Sequence, residues 1–171
     1  GARVILADEN FVPGGRCLAE RRTIDGQPAA DWAAQAIAEL RSMPDVRLFP
    51  RTTVFGVFDD GVYGAVERVN DHLPVPPEFQ PRQRVWRFIA KQTVLASGSI
   101  ERPLVFGNND LPGVMLAGAV RTYVNRYAVL PGRRAVVFTD NDDGWTTAAD
   151  LVAAGGQVAA IIDSREPVIV Q

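Results

Sequence analysis

The sequence is short of the side chains on which several kinds of chemistry depend. Its 171 residues include one cysteine, Cys17, and one histidine, His72. A Cys/His metal cage, a Cys-x-x-Cys redox pair and an internal disulfide each need more of these residues. We expect Cys17 to be a small buried apolar residue and His72 to lie in a loop. No catalytic residue and no metal site is therefore predicted.

The chain also lacks a strong charge of one sign and a long apolar run. Its 18 Lys and Arg residues and 20 Asp and Glu residues give a formal net charge of -2, and the arginines are scattered. This balance offers no general attraction for nucleic acid or anionic membranes. No stretch reaches the roughly 20 apolar residues of a membrane-spanning helix, and nothing resembles a signal peptide. We expect a cytoplasmic protein with neither nucleic acid nor membrane as a partner.

A short β-branched run that ends in acids, VILADE, comes almost at once. It predicts a strand over 4–7, buried on both faces. In a dinucleotide-binding β-α-β unit, a carboxylate at the tip of the second strand accepts hydrogen bonds from the adenosine ribose, about 20 residues after the glycine fingerprint. Counting back from Asp8 places that fingerprint before Gly1, which itself is typical of a helix stop. We expect a chain cut inside a Rossmann-type domain.

Two small-residue segments are candidates for close approach to a dinucleotide. The first is Pro13-Gly14-Gly15-Arg16, where Gly-Gly is also a common turn and Arg16 faces either a phosphate or water. The second is a strand over 91–96 that ends in Ala96-Ser97-Gly98, where neither Ala nor Gly puts bulk in the way.

The middle of the chain alternates helix and strand signals. Apolar residues at spacings of three and four predict a helix over 28–43. Strands follow over 46–49, 52–58 and 62–69, with an Asp-Asp-Gly hairpin turn between the last two. The prolines over 73–83 predict a surface loop, because proline cannot donate a hydrogen bond to a sheet. The strand over 84–90, which leads into the strand over 91–96, completes a small antiparallel sheet.

A second strand-helix-strand pattern follows an amphipathic helix over 115–127. In this pattern strands over 135–138 and 158–162 flank a helix over 146–154, and Asp163 ends the second strand. The glycine fingerprint is replaced by TDNDDG, so that only Gly144 remains and acids lie where phosphate would bind. Asp and Asn are preferred helix caps. We predict a structural unit without a nucleotide.

The segments QTVLASGSIERP and FGNNDLPGV resemble the alpha subunit of heterotetrameric sarcosine oxidase. The resemblance is strongest from Val94 to Asp150. It implies an α/β protein with a Rossmann-like two-dinucleotide-binding fold of the disulfide-reductase type, N-terminally truncated, with an inserted antiparallel β-sheet. Residues 1–114 would form a partial first dinucleotide-binding domain, and residues 115–171 would begin a degenerate second unit.

The resemblance also implies a function. Members of the family oxidatively demethylate sarcosine to glycine, with hydrogen peroxide formation and one-carbon transfer to tetrahydrofolate. They are cytoplasmic complexes of alpha, beta, gamma and delta subunits, in which the alpha subunit holds NAD while FAD, FMN and tetrahydrofolate bind elsewhere. Ser97 stands where Thr is more usual, and Val54 would neighbour the adenine. Carried over to this sequence, the cofactor-binding positions are Asp8, Glu9, Gly14, Gly15, Arg16, Val54, Ala96, Ser97 and Gly98.

Two other interpretations remain open. The chain could belong to a related opine or amino-acid dehydrogenase or oxidase, which would share a two-dinucleotide fold. It could also be a scaffold with no working nucleotide site. Because the phosphate-binding glycines are expected before Gly1, we predict that residues 1–171 alone bind NAD weakly or not detectably.

Overall fold

The structure, a computed structural model, describes residues 2–166, which leaves the expected helix stop at Gly1 outside the described residues. The strands are β1 (Val4–Ala7), β2 (Thr23–Ile24), β3 (Gln27–Pro28), β4 (Val46–Phe49), β5 (Thr52–Phe58), β6 (Val62–Arg68), β7 (Gln83–Ile89), β8 (Arg134–Thr139) and β9 (Gln157–Asp163). The helices are α1 (Ala29–Ser42), α2 (Ala117–Arg121) and α3 (Asp142–Ala153).

The chain packs as two compact units. The first consists of Gly1–Gly15 and Asp31–Gly98, and the second of Arg16–Ala30 and Ser99–Gln171. This division follows packing, whereas the predicted boundary after residue 114 concerns nucleotide-binding domains and stays a prediction.

The first unit begins with a parallel strand pair. Val4 of β1 lies opposite Val46 of β4, and α1 immediately precedes β4 in the chain. The predicted strand over 4–7 and helix over 28–43 are confirmed to within a residue at each end. Burial of the strand on both faces is wrong, because Val4 and Ile5 are exposed. Within residues 2–166, β4 is the one strand paired with β1, so the other edge of β1 has no strand beside it there.

An antiparallel sheet in the order β5-β6-β7 supplies the core of the first unit. Phe49 at the end of β4 packs between Trp86 and Phe88, with ring centroids 5.2 and 5.1 Å away. The predicted strand over 84–90 is therefore confirmed as β7 to within a residue at each end. The hairpin turn requires glycine at Gly61, where φ is 69° and an added Cβ would lie 2.3 Å from the carbonyl oxygen of Ala90.

The strand expected over 91–96 is wrong. The chain from 91 to 98 contains neither strand nor helix, and Val94 and Leu95 are 89% and 84% exposed. A β-prone run becomes a strand only when a neighbouring strand accepts its hydrogen bonds, and among the described residues none pairs with it. The proline-rich loop is confirmed up to Gln83, and His72 lies exposed in a turn. Cys17 is partly exposed rather than buried.

The second unit contains the predicted strand-helix-strand pattern. β8 and β9 pair in parallel, from Arg134 opposite Gln157 to Thr139 opposite Asp163, with α3 between them in sequence. The helix expected over 115–127 consists of α2 followed by a π-helical turn, Thr122–Arg126. On α2 the charged side chain of Arg121 is only 5% exposed.

Among residues 2–166, no helix combines the length and the apolar character that crossing a bilayer would require.

Candidate functional site

The carboxyl end of the parallel pair holds the first predicted site residue. Asp8 directly follows β1, where its backbone N–H donates to the carbonyl of Phe49 at 3.0 Å. Its Oδ1 accepts the backbone N–H of Asn10 at 2.9 Å and the Asn10 side-chain amide at 3.1 Å. The carboxylate is half-buried. It therefore lies at the edge of the sheet where ligands of parallel α/β folds bind, in a fixed orientation.

The backbone beyond Asp8 is tied to the antiparallel sheet. Arg68 donates from its guanidinium to the carbonyl of Glu9, while the Glu9 side chain is exposed. Arg51 donates its backbone N–H to the carbonyl of Asn10 at 2.8 Å, and its side chain binds Asp71 at 2.7 Å. These bonds hold the loop after β1 in place without using the Asp8 and Glu9 carboxylates.

The glycine pair adopts conformations that other residues avoid. Gly14 has a φ of 141° and Gly15 a φ of 52°. Within the described residues, no atom lies within 4 Å of a Cβ added at Gly15. Gly15 begins a short 3₁₀ helix, Gly15–Leu18, and close approach of a dinucleotide to the glycine pair stays a prediction.

Arg16, the predicted phosphate contact, belongs to the second unit and is already bound there. Its Nη2 donates to both carboxylate oxygens of Asp143, at 2.9 and 2.8 Å, and its Nε donates to Glu20. The hydrogen bonds to Asp143, and then those to Glu20, raise the pKa of Arg16. A dinucleotide phosphate that binds Arg16 would therefore have to share its guanidinium with Asp143 and Glu20.

The remaining predicted positions are not gathered around Asp8 by hydrogen bonds. Val54 lies on β5 opposite Ala65, beside a bulge, and is 44% exposed. Ala96, Ser97 and Gly98 are exposed, and Gly98 has a φ of 69° with open space at its Cβ position. In the described part of the chain no hydrogen bond joins 96–98 to Asp8, so their shared role stays a prediction.

In the second β-α-β unit, side chains of the unit itself form hydrogen bonds at the carboxyl ends of the strands. Asn141 caps α3 by accepting the backbone N–H of Asp143 at 3.0 Å, which replaces the expected capping by the acids. Asp163 accepts from Trp145 Nε1 at 2.8 Å and from Arg165, which also binds Asp142 at 2.8 Å. Hydrogen bonds from Arg165, and then from Trp145, hold the pKa of Asp163 well below its usual range. Nucleotide groups would have to displace these contacts.

Gly144, the one glycine left from the fingerprint, has a packing role. A Cβ added there would lie 2.3 Å from the Cβ of Thr139, the last residue of β8. The third fingerprint glycine normally allows this close contact between helix and strand. The unit therefore keeps a glycine at the one fingerprint position where α3 packs closely against β8.

Sequence reasoning missed a charged cavity in the second unit. Its volume is about 490 Å³, and four arginines and three carboxylates line most of it. The arginines are Arg16, Arg21, Arg22 and Arg121, and the carboxylates are Glu20, Asp143 and Asp150. The tripeptide Glu20-Arg21-Arg22 was the available signal, but Arg121, Asp143 and Asp150 lie more than 90 residues further along the chain.

Comparisons with known proteins agree with the resemblance seen in the sequence. The chain is 56% identical over 165 residues to the alpha subunit of sarcosine oxidase from Rhizobium meliloti (strain 1021), covering 96% of the chain and 17% of that protein. It is 47% identical over 170 residues to the corresponding subunit of Corynebacterium sp. (strain P-1), covering 98% of the chain and 18% of that protein. The chain matches one segment of the sarcosine oxidase alpha subunit. That match confirms the predicted resemblance.

Other relatives are more distant. An opine oxidase subunit of Agrobacterium tumefaciens (strain Ach5) is 30% identical, with 97% of the chain and 33% of that protein covered. The structure of L-proline dehydrogenase from P. horikoshii matches with a TM-score of 0.72 at 21% identity, covering 95% of the chain and 31% of that protein. This likeness supports the α/β fold class. No protein-family model matches the chain. The chain spans less than a fifth of the length of the sarcosine oxidase alpha subunits it matches.

Proposed function

We propose that this chain is part of the NAD-binding region of the alpha subunit of a multisubunit sarcosine oxidase. Residues 1–114 would belong to a first dinucleotide-binding domain of the disulfide-reductase type, with β5-β6-β7 as its inserted sheet, and residues 115–171 would begin a degenerate second unit. The main support is the position of Asp8 at the carboxyl ends of β1 and β4. The similarity to the sarcosine oxidase alpha subunit supplies the family.

In this proposal Asp8 binds the adenosine ribose. Its Oδ1 is held by Asn10, which leaves Oδ2 without a hydrogen bond in the described part of the chain and able to accept a ribose hydroxyl. Gly14 and Gly15 would let the backbone approach the cofactor, while Val54 would pack against the adenine. Glu9, Arg16 and residues 96–98 would complete the binding positions. The chain's own residues would bind and orient the cofactor without making or breaking bonds.

The complete protein would be a cytoplasmic complex of alpha, beta, gamma and delta subunits. It would oxidise the N-methyl group of sarcosine, release glycine, pass the one-carbon unit to tetrahydrofolate and reduce oxygen to hydrogen peroxide. FAD, FMN and tetrahydrofolate would bind outside this segment. The support for this proposal is the 44% to 56% identity to the sarcosine oxidase subunits.

The test of the NAD site is the Asp8→Asn substitution in the assembled complex. Asparagine keeps an acceptor for Asn10 but removes the charge offered to the ribose, so we expect NAD to bind about tenfold more weakly. Calorimetric titration of the complex after removal of bound NAD gives the dissociation constant. Asp45→Asn is the matched control, because Asp45 is exposed at the opposite end of the same strand pair, where its carbonyl accepts the N–H of Val4.

Equal NAD affinity in the Asp8→Asn and Asp45→Asn variants would contradict the proposed site. A second measurement concerns residues 1–171 alone, for which we expect no binding stronger than millimolar. Micromolar affinity of this segment for NAD would mean that the phosphate-binding elements lie within it.

A second candidate function is that of an opine oxidase component. The observation in its favour is the 30% identity to the opine oxidase subunit of Agrobacterium tumefaciens, over 97% of the chain. Oxygen consumption by the assembled complex separates the two candidates. Turnover of sarcosine without turnover of an opine supports the first, and the reverse result supports the second.

A further inference from the structure

The cavity of about 490 Å³ in the second unit carries unbalanced charge. Its four arginines are always charged, whereas only three carboxylates face them, so one positive charge remains. A guanidinium has five N–H donors, and a carboxylate accepts about four hydrogen bonds. The cavity therefore has more donors than its own side chains can satisfy.

The carboxylates are shared among several arginines. Glu20 faces Arg16, Arg22 at 3.0 Å and Arg121 at 3.6 Å. Asp143 binds Arg16 through two hydrogen bonds and lies 3.4 Å from Arg121. The distances from Arg121 are longer than those of a charge-assisted hydrogen bond. Both carboxylates that face Arg121 are thus bound more closely by other arginines.

Arg121 is also the most deeply buried of the four. Its side chain is 5% exposed, and its Nε has no hydrogen-bond partner among residues 2–166. The side chains of Arg16, Arg21 and Arg22 are about half exposed. Burying a charge is unfavourable unless it is paired and hydrogen-bonded. The buried guanidinium therefore lies in a cavity whose carboxylates carry one charge fewer than its arginines.

We infer that this cavity binds a phosphate group. Guanidinium groups match phosphate geometry, and a tetrahedral anion accepts hydrogen bonds from several directions at once. Here the donors come from the segment 16–22 on one side and from α2 on the other. A planar carboxylate would be satisfied by a single guanidinium.

The phosphate could be inorganic or part of a nucleotide. Both sources present the same oxygens to the arginines, so the experiment has to separate them. The inference does not rest on NAD binding at Asp8: of the residues that line the cavity, Arg16 alone is also a proposed NAD-binding position.

The test is calorimetric titration of the assembled protein with inorganic pyrophosphate, and in parallel with ADP and NAD. We expect one saturable site for pyrophosphate that weakens as NaCl is raised, since partly exposed charges are screened. Arg121→Gln should weaken binding about tenfold, and the Arg21→Gln/Arg22→Gln double variant should weaken it about as much. The double variant alters half-exposed residues, which keeps the test valid if Arg121→Gln fails to fold. Arg133→Gln, at an exposed arginine in the same unit, is the matched control.

ADP binding in competition with pyrophosphate would assign the site to a nucleotide phosphate, whereas pyrophosphate binding without ADP competition would assign it to a free phosphate. Asp8→Asn should weaken NAD binding and leave pyrophosphate binding unchanged, so that failure at one site is distinguished from failure at the other. No saturable pyrophosphate binding, or equal affinity in the cavity variants and Arg133→Gln, would overturn the inference.

Discussion

In the first β-α-β unit, the carboxylate of Asp8 at the end of β1 accepts hydrogen bonds from Asn10, its near neighbour. In the second unit, Asp163 at the end of β9 is bound by Trp145 and by Arg165, which also reaches Asp142 in the first turn of α3. Each acid lies at the carboxyl end of a strand in a parallel pair. Asp8 keeps one carboxylate oxygen available to a ligand, whereas Asp163 is bound by side chains of its own unit.

The glycines of the two units also differ in the space around them. Gly14 and Gly15 adopt positive φ angles, and the space beside Gly15 is open. Gly144 is buried, and the side chain of Thr139 occupies the space that a Cβ at Gly144 would need. A strand-helix-strand layout can therefore persist after its ligand-binding groups have been replaced, because packing and binding impose separate requirements on it.

The largest expected effect comes from Gly144→Ala. The new methyl group would lie 2.3 Å from the Cβ of Thr139, an atom fixed to the strand backbone, so α3 and β8 must separate. We expect a loss of about 3 kcal/mol in the free energy of unfolding, measured by urea denaturation. Gly132→Ala is the control, since no atom lies within 4 Å of its Cβ position.

A double variant sharpens this prediction. Thr139→Gly removes the atoms that an alanine at 144 would meet, so its effect and that of Gly144→Ala should not add. Additive losses would show that the helix tolerates a side chain at 144. The comparison between a packing glycine and an open glycine pair would then fail.

Sequence patterns predicted most of the elements of both units. Periods of two and of three to four residues depend on neighbours along the chain, and they placed β1, α1 and β4 within a residue of their observed ends. The strand over 91–96 was wrong because a strand also depends on a partner. Local pattern cannot report whether that partner is present.

The charged cavity could not be predicted for a related reason. Arg16 and Asp143 are 127 positions apart, and Arg121 lies within 4 Å of both Glu20 and Asp143. By its spacing on the helix, Arg121 is an ordinary polar residue. Ion pairs between distant segments depend on the tertiary fold. The spacing of residues along one helix cannot predict them.

A smaller effect is expected from Asn141→Ala. The Asn141 side chain satisfies the N–H of Asp143 at the start of α3, in the place where a phosphate-binding loop would direct such groups at a ligand. Losing the cap should lower the free energy of unfolding by about 1 kcal/mol. Asn141→Asp should keep most of the stability, because aspartate caps equally well. If both variants are equally destabilised, the cap does not close this helix end.

The smallest expected effect is a change in acid sensitivity. The pKa of Asp163 is lower in the folded chain than its ordinary value of 3.8, chiefly because of Arg165. A lowered folded-state pKa adds stability above the unfolded value and removes it as the pH falls through the folded value. Below about pH 4 the wild-type chain should therefore lose stability more steeply than Arg165→Gln, with a small difference because the pair is exposed.

Thermal unfolding between about pH 2.5 and about pH 6 measures this difference. Arg133→Gln serves as the control for loss of an exposed arginine in the same unit, and it should keep the wild-type slope. Should Arg165→Gln retain the wild-type slope as well, the bond between Arg165 and Asp163 would not contribute to closing the second unit. The contrast between an available Asp8 and an engaged Asp163 would then need another physical basis.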